Sequence, residues 1–119
     1  MKPELSLTIP IYNEEGGIEE TIKSLIKEFD KEKLNYELVL VNHGSIDNTH
    51  KILDELAIKN ERLKVHNLPK NLGYGGGIQY GFENSLGKYI GFTCADEEIL
   101  PEDVYRIFKI HLIYVIINF

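Results

Sequence analysis

The sequence predicts an α/β fold with a mostly parallel sheet flanked by helices. Short apolar runs alternate with segments whose apolar residues recur every three or four positions, as strands and amphipathic helices do. The second apolar run, Tyr36 to Val41, is nearly all apolar, which is typical of a strand buried on both faces. Polar, glycine-rich or acidic residues follow each predicted strand, at the position where parallel α/β sheets bind ligands.

The alternation predicts four strands and four helices within one domain, residues 1–119. A chain of 119 residues with 43% hydrophobic content can bury one core of ordinary size. The predicted strands are Leu5–Ile11, Tyr36–Val41, Leu63–Leu68 and Lys88–Thr93, and the predicted helices are marked by Ile18–Phe29, Ile52–Ala57, Ile78–Leu86 and Pro101–Lys109.

The chain ends in an apolar segment, IHLIYVIINF, from Ile110 to Phe119. This segment is shorter than the ~20 residues that span a membrane as a helix. Three interpretations are open: a fifth strand, a segment that packs on a partner such as a second copy of the chain, or the product of a truncated gene.

Composition excludes several classes of function. The formal net charge of −6, without a cluster of Lys and Arg, argues against a nucleic-acid binder. The single cysteine, Cys94, excludes an internal disulfide and a cysteine-rich zinc site. Residues 1–4 lead directly into a predicted strand and do not resemble an export signal. We therefore expect a cytoplasmic protein, associated with a membrane only through a partner or an acceptor.

The loops after the first two strands carry the first candidate site residues. Asn13 follows the first strand and is a candidate either for a helix cap or for a ligand contact. In the second turn, VNHGSIDNT, Ser45 or Asp47 can cap the next helix, while Gly44 supplies a turn conformation closed to other residues. His43 has no partner identifiable from the sequence, and a surface or turn position is expected for it.

The other two loops suggest an anion and a cation. The glycines from Gly73 to Gly77 lack the spacing of a dinucleotide-binding fingerprint but leave backbone amides accessible at a helix start, where Lys70 could pair with a phosphate. Asp96 follows the fourth strand, and a carboxylate there can hold Mg²⁺ or Mn²⁺ against a diphosphate, with Glu97 and Glu98 as further donors. The alternative is that these acids form the solvated first turn of a helix.

Taken together, these loops form a set of four motifs in chain order. They are Pro10-x-Tyr12-Asn13-Glu14, Val41-x-x-Gly44-Ser45-x-Asp47-x-Thr49, Asn71-x-Gly73 and Ala95-Asp96. By these motifs the chain resembles the nucleotide-binding half of a family 2 glycosyltransferase with the Rossmann-like GT-A fold, and among these the polyprenyl- and dolichyl-phosphate sugar synthases. The resemblance covers residues 4 to about 109.

The resemblance implies a nucleotide-diphosphate sugar donor, Mg²⁺ or Mn²⁺ as cofactor, and an acceptor such as a polyprenyl phosphate at a membrane surface or a growing glycan. The metal ligands that it implies are Asp96 and Glu98. A catalytic base is expected beyond the chain end. The implied nucleotide-binding residues are Pro10, Tyr12, Asn13, Glu14, Asn42, Gly44, Ser45, Asp47, Lys70 and Gly73.

Three features depart from the family pattern. Asn42 and His43 stand where the family usually has two aspartates, which leaves the base preference open. Cys94 replaces the first aspartate of an Asp-x-Asp motif, and a thiol is a poor ligand for a hard cation. The acceptor-binding half of the family is missing, so the fold is expected to be truncated before it.

Two functions from different classes follow from these features. The first is a glycosyltransferase or its donor-binding domain. The second is a non-catalytic nucleotide-sugar-binding module or the remnant of a truncated gene. A flavodoxin-like or receiver-type domain would share the alternation of strands and helices, but it does not explain the motifs after the first two strands.

Overall fold

A computed structural model describes residues 2–96 and 100–118, with only the backbone described for 110–118. Strands and helices alternate from the first strand to the last helix. The elements are β1 (Leu5–Ile11), α1 (Ile18–Lys31), β2 (Tyr36–His43), α2 (Thr49–Lys59), β3 (Leu63–Leu68), α3 (Gly73–Glu83), β4 (Tyr89–Phe92) and α4 (Pro101–Asn118).

The four strands form one parallel sheet in the order β3-β2-β1-β4. Both central strands are buried along their whole length, as the apolar run of β2 predicts. Parallel pairing brings the carboxyl ends of all four strands to one edge of the sheet. The predicted α/β fold with a parallel sheet is therefore confirmed.

The core lies between the sheet and the helices that cover it. The buried face of α1 contributes Ile18, Ile22, Leu25 and Phe29, which recur at helical spacing. The Phe29 ring meets the Tyr36 ring edge-on, with 5.1 Å between their centroids. Phe108 of α4 also belongs to this core, so α4 is part of the fold and not an appendage.

Helix α3 packs very closely on the sheet because two of its inward positions are glycines. Gly77 and Gly81 are buried. A Cβ atom at Gly81 would lie 2.2 Å from the Cγ2 atom of Thr8 on β1, a distance that no side chain tolerates. The glycine-rich sequence therefore allows the start of α3 to approach the carboxyl ends of β1 and β2.

Two of the alternatives that the sequence left open are wrong. Asn13 does not cap α1, because that helix begins at Ile18 after Gly17, and Asn13 has a left-handed backbone with φ of 50°. Residues 110–118 do not form a fifth strand, because α4 continues to Asn118. No Gly or Pro follows Pro101 in that helix, so no residue interrupts it. The strand propensity of its β-branched residues is too weak to end a helix that has already begun. In the described part of the chain, no helix is long and apolar enough to cross a membrane.

Candidate functional site

A cleft of about 450 Å³ lies at the carboxyl edge of the sheet. Its volume falls in the range typical of small-molecule sites. Each of the four loops singled out in the sequence contributes at least one residue. The cleft is lined by Pro10, Tyr12, Glu14, His43, Asn71, Tyr74, Cys94, Ala95 and Asp96.

Two carboxylates give the cleft its charge. Asp96 is exposed after β4, and Glu14 is half-buried after β1. Burial, followed by the negative charges of Asp96 and then Asp47, raises the pKa of Glu14 above its ordinary value. The two cleft carboxylates therefore repel each other, and a cation between them would relieve that repulsion.

The donor set fits a magnesium or manganese ion that also binds phosphate. Both carboxylates supply hard oxygen atoms, and Mg²⁺ is commonly held by one or two carboxylates together with phosphate oxygens and water. Among the side chains described, those of residues 2–96 and 100–109, no three His, Cys, Asp or Glu cluster closely enough to hold a metal by themselves. The expected ligands Glu97 and Glu98 lie outside the described residues.

Hydrogen bonds join the loop after β1 to the turn after β2. The Asn13 N–H donates to Ser45 Oγ over 2.9 Å, and Asn13 Oδ1 accepts from the Ile46 N–H over 2.8 Å. The Glu14 N–H donates to Thr49 Oγ1 over 3.0 Å, which holds this loop against the first turn of α2. Asn13 and Ser45 thus contact each other and are not among the cleft-lining residues.

Asp47 belongs to the same set of contacts. Its carboxylate accepts from the N–H of Thr49 over 2.9 Å and from the N–H of Glu15 over 3.3 Å. Burial alone would raise the pKa of Asp47, but hydrogen bonds from Thr49 and Glu15 outweigh it and hold that pKa below its ordinary value. Asp47 orders the turn as an ionised acceptor and, like Ser45, lies outside the cleft lining.

Asn42 directly precedes the cleft-lining residue His43 on β2, and only 3% of its surface is exposed. Its Nδ2 donates to Asn67 Oδ1 over 2.8 Å, and its Oδ1 accepts from the Ser45 hydroxyl. Asn67 in turn donates to Asp54 Oδ1 on α2 over 3.0 Å. The side-chain amide of Asn42 is therefore engaged within the protein and does not line the cleft.

The remaining predicted residues surround the glycine-rich loop. Gly44 has φ of 83°, and a Cβ atom there would lie 2.6 Å from the backbone nitrogen of Asn71, so this position requires glycine. Gly73, with φ of 77°, begins α3 and donates its N–H to Asn71 Oδ1 over 2.7 Å. Lys70 is exposed on the same loop, beside the cleft lining and not within it.

His43 lines the cleft although the sequence suggested only a turn or surface position. Only 4% of its surface is exposed, and burial lowers its pKa below the ordinary value. Its Nδ1 atom accepts a hydrogen bond from the Leu72 N–H over 3.0 Å. One feature of the sequence could have indicated this role: His43 follows a buried strand that ends at the ligand-binding edge of the sheet.

The side of the cleft beside β4 combines aromatic rings with a thiol. Tyr12 and Tyr74 are 46% and 55% exposed, so both rings offer accessible faces. The Tyr74 hydroxyl lies 3.4 Å from the Sγ atom of Cys94. Cys94 is a free, half-buried thiol within the cleft and not a residue of the core.

Comparison with known proteins identifies the family. Residues 6–112 match the sequence profile of Glycosyl transferase family 2. The chain belongs to this family. It spans about a third of the length of the curated relatives that it matches, between 31% and 34% for three of them.

Three proteins illustrate the relationship. The undecaprenyl-phosphate 4-deoxy-4-formamido-L-arabinose transferase of Proteus mirabilis is 33% identical over 105 residues, which are 87% of this chain and 32% of the transferase. S. aureus TarS 1–349 in complex with UDP is 33% identical, with a TM-score of 0.67 over 81% of this chain and 28% of that one. The mannosyltransferase PcManGT from Pyrobaculum calidifontis, in complex with GDP-Man and Mn²⁺, shares the fold with a TM-score of 0.69 and 24% identity, over 81% of this chain and 28% of that one.

Proposed function

We propose that this chain is the donor-binding part of a glycosyltransferase, which transfers a sugar from a nucleotide-diphosphate sugar to an acceptor such as a polyprenyl phosphate or a growing glycan. The observation that carries the proposal is the cleft itself, in which Glu14 and Asp96 lie together with the accessible rings of Tyr12 and Tyr74. Acidic groups suit a metal-bound diphosphate, and aromatic faces suit a base or a sugar.

Asp96 is the principal protein ligand of the cation in this proposal, with Glu14 as a second carboxylate and Glu98 as a further donor. A bound Mg²⁺ or Mn²⁺ would supply positive charge that stabilises the diphosphate as it leaves the sugar. The protein carries a formal net charge of −6, so a diphosphate entering this acidic cleft is repelled unless a cation accompanies it. Mn²⁺ accompanies GDP-Man in the PcManGT complex, and UDP is bound by TarS.

The other predicted residues shape the site in different ways. Pro10 and Tyr12 would contact the nucleoside, and the loop of Lys70 and Gly73, which meets the end of β2 at His43, would approach the nucleotide from the same side. Asn13, Ser45 and Asp47 would act indirectly by holding two loops against each other. Asn42 and Gly44 would support the turn from inside, so we no longer assign Asn42 a direct contact with the base.

In the transfer reaction, an acceptor oxygen attacks the anomeric carbon while the bond from that carbon to the diphosphate breaks. The contribution of this chain is to bind and orient the donor for that attack. We assign the base that deprotonates the acceptor to no residue of this chain. The name of the Proteus mirabilis relative includes undecaprenyl phosphate, which is a polyprenyl phosphate, and this supports the proposed acceptor class.

Calorimetric titration with UDP, GDP and dTDP, with and without Mn²⁺, tests the proposal. Asp96→Asn keeps the shape of the side chain and removes its charge. It should weaken metal-dependent nucleotide binding by ~1.5–3 kcal/mol, as expected for a charge-assisted contact, and leave metal-free binding unchanged or improved.

Glu55→Gln on the exposed surface of α2 is the matched control, because it removes the same charge away from the cleft. If Asp96→Asn binds the metal–nucleotide complexes as tightly as the parent chain, Asp96 is only an acid before a helix. If no nucleotide binds to the parent chain at all, the proposal as a whole is wrong.

A non-catalytic nucleotide-sugar-binding module is the second candidate. Cys94 favours it, because this thiol lines the cleft where the resemblance implies a carboxylate, and it is a poor ligand for Mg²⁺ or Mn²⁺. A module of this kind would bind a nucleotide sugar without releasing the nucleoside diphosphate. The effect of the metal in the same titrations distinguishes the two functions: the donor-binding part of an enzyme should bind nucleotides more tightly with Mn²⁺, whereas a module with Cys94 in place of the carboxylate should bind them equally well without it.

A further inference from the structure

His43 occupies a fixed position at the carboxyl end of β2. The Leu72 N–H donates a hydrogen bond to the Nδ1 atom of His43 over 3.0 Å. Its ring also lies against Gly77 of α3, where an added Cβ atom would come within 3.2 Å of His43 Cε1 and 3.3 Å of His43 Nε2. A glycine at position 77 therefore makes room for this ring, and the ring is held from two sides.

These contacts determine which nitrogen of the ring carries the proton. Because Nδ1 accepts from a backbone N–H, it carries no hydrogen, and the neutral ring has its hydrogen on Nε2. For the side chains of residues 2–96 and 100–109, Thr8 Oγ1 is the one fully buried polar atom without a hydrogen-bond partner. No protein partner of His43 Nε2 is present among those residues, so this N–H is accessible from the cleft that His43 lines.

The strand order separates His43 from Asp96. His43 ends β2, Asp96 follows β4, and β1 lies between these two strands. Neighbouring strands are 4.7–4.9 Å apart, so roughly 10 Å separates the two ends of the cleft. If the diphosphate lies beside Asp96, a nucleoside reaches back toward β2 and places its base near His43.

We propose that His43 is a specificity-determining residue whose Nε2–H donates a hydrogen bond to an acceptor atom of the nucleobase. This inference rests on the proposed function, because it concerns the base of the same nucleotide. A carboxylate at position 43, which the family pattern implies, could only accept a hydrogen bond, whereas His43 can only donate one. The residue at position 43 thus reverses the direction of this hydrogen bond.

Cytosine and uracil distinguish the two directions with the smallest change in shape. Cytosine N3 is an acceptor, while uracil N3 carries a hydrogen and is a donor. His43 therefore favours cytosine over uracil, and a carboxylate at the same position favours uracil. A mismatched pair of donors or acceptors in a buried site costs about a factor of ten in affinity.

The experiment measures the dissociation constants of CDP and UDP, with Mn²⁺, for the parent chain and for His43→Asp. We expect the ratio of UDP to CDP affinity to rise on the order of tenfold in His43→Asp. His50→Asp is the matched control, because His50 is exposed on α2, and it should leave the ratio unchanged.

Several results would overturn this inference. The ratio could stay within about twofold of the parent value, or both nucleotides could weaken equally, as expected for a contact to the diphosphate or a purely structural role. If neither nucleotide binds to the parent chain, the proposed function fails first. With an unchanged ratio or an equal weakening, the parent chain still binds nucleotides. A failure of this inference is therefore distinguishable from a failure of the proposed function.

A second measurement keeps the inference testable should His43→Asp not fold. The ¹H–¹⁵N resonance of His43 Nε2–H can be assigned in the parent chain by its loss in His43→Gln. We expect CDP to shift this resonance downfield, as a new hydrogen bond does, and UDP to shift it less. Equal shifts with both nucleotides would contradict the inference.

Discussion

At the residue scale, several polar side chains of the motifs bind other parts of the protein and not the cleft. Asn13 contacts Ser45 and Ile46, which are more than thirty positions further along the chain. The sequence showed that these residue types favour turns, because their short side chains bond to nearby backbone. It could not show their actual partners, because these contacts exist only once β1 and β2 are neighbours.

His43 illustrates the same limit from the other side. Its place at the end of a buried strand was visible in the sequence, but its contact with the Leu72 N–H depends on how the loop after β3 folds over the turn. Gly44 makes that close approach possible, since a Cβ atom would collide with Asn71. The backbone conformation that requires glycine at position 44 therefore also determines the environment of His43.

The lowered pKa of His43 makes stability depend on pH. In the unfolded chain this histidine has its ordinary pKa of 6.5, whereas burial lowers its pKa in the folded protein. As the pH falls below 6.5, the unfolded state takes up the proton first, so the free energy of unfolding decreases. This contribution is fully present above the unfolded pKa and is lost as the pH falls through the folded one.

We therefore expect the parent chain to lose more stability between pH 7.5 and pH 5.5 than His43→Asn does. Urea denaturation at both pH values measures this difference, and every other titrating group is common to the two proteins. The asparagine also offers an oxygen to the Leu72 N–H, which limits the structural effect of the change. Equal losses in both proteins would show that His43 does not titrate differently on folding.

At the element scale, periodicity and apolar runs predict most of the helices and strands, with β2 ending at His43 and not at Val41. The start of α3 was not predicted, because a run of glycines normally disfavours a helix. The structure begins α3 at Gly73, and the later glycines Gly77 and Gly81 allow this helix to lie close to the sheet.

Two glycines of α3 test this explanation as a matched pair. At Gly81 an added Cβ atom would lie 2.2 Å from Thr8 Cγ2, while at Gly75 it would meet nothing within 4 Å. Gly81→Ala should therefore lower the free energy of unfolding by ~1–3 kcal/mol through overpacking. Gly75→Ala should raise it by about 0.5–1 kcal/mol, because alanine restricts the unfolded chain and suits the helix.

Urea denaturation of both variants checks these signs. If Gly81→Ala is as stable as the parent chain, α3 can move away from β1 without cost, and its close packing does not hold the start of the helix in place. Nucleotide titration of the same variant then shows whether such a shift reaches Tyr74 and the cleft.

At the scale of the whole molecule, the alternation of elements predicts the parallel sheet, and parallel strands bring the four loops to one edge. The order of the strands could not be predicted, because nothing in the sequence identifies which strand lies at the edge of the sheet. β4 is apolar in composition, yet Ile90 and Phe92 are 46% and 49% exposed. In the order β3-β2-β1-β4 this strand lies at an edge of the sheet, where fewer elements cover it.

Within the described residues, no strand pairs with the outer side of β4, and a groove of about 330 Å³ lies beside it. The groove is lined mostly by apolar side chains, among them Phe82, Phe92 and Ile107. An exposed apolar edge strand is a known route to association between chains, and natural proteins often interrupt such edges with lysine.

We expect this chain to self-associate at high concentration through the edge of β4, and Ile90→Lys to reduce that association. The side chain is about half exposed, so the free energy of unfolding should change by no more than roughly 0.5–1 kcal/mol. Ile58→Lys is the matched control, because Ile58 on α2 is 85% exposed and the change in charge is identical. Both substitutions move the net charge toward zero, which by itself favours association and not solubility. Light scattering over a concentration series compares the three proteins: a decrease confined to Ile90→Lys assigns the association to the β4 edge, and an equal decrease in Ile58→Lys would assign it to surface apolarity in general.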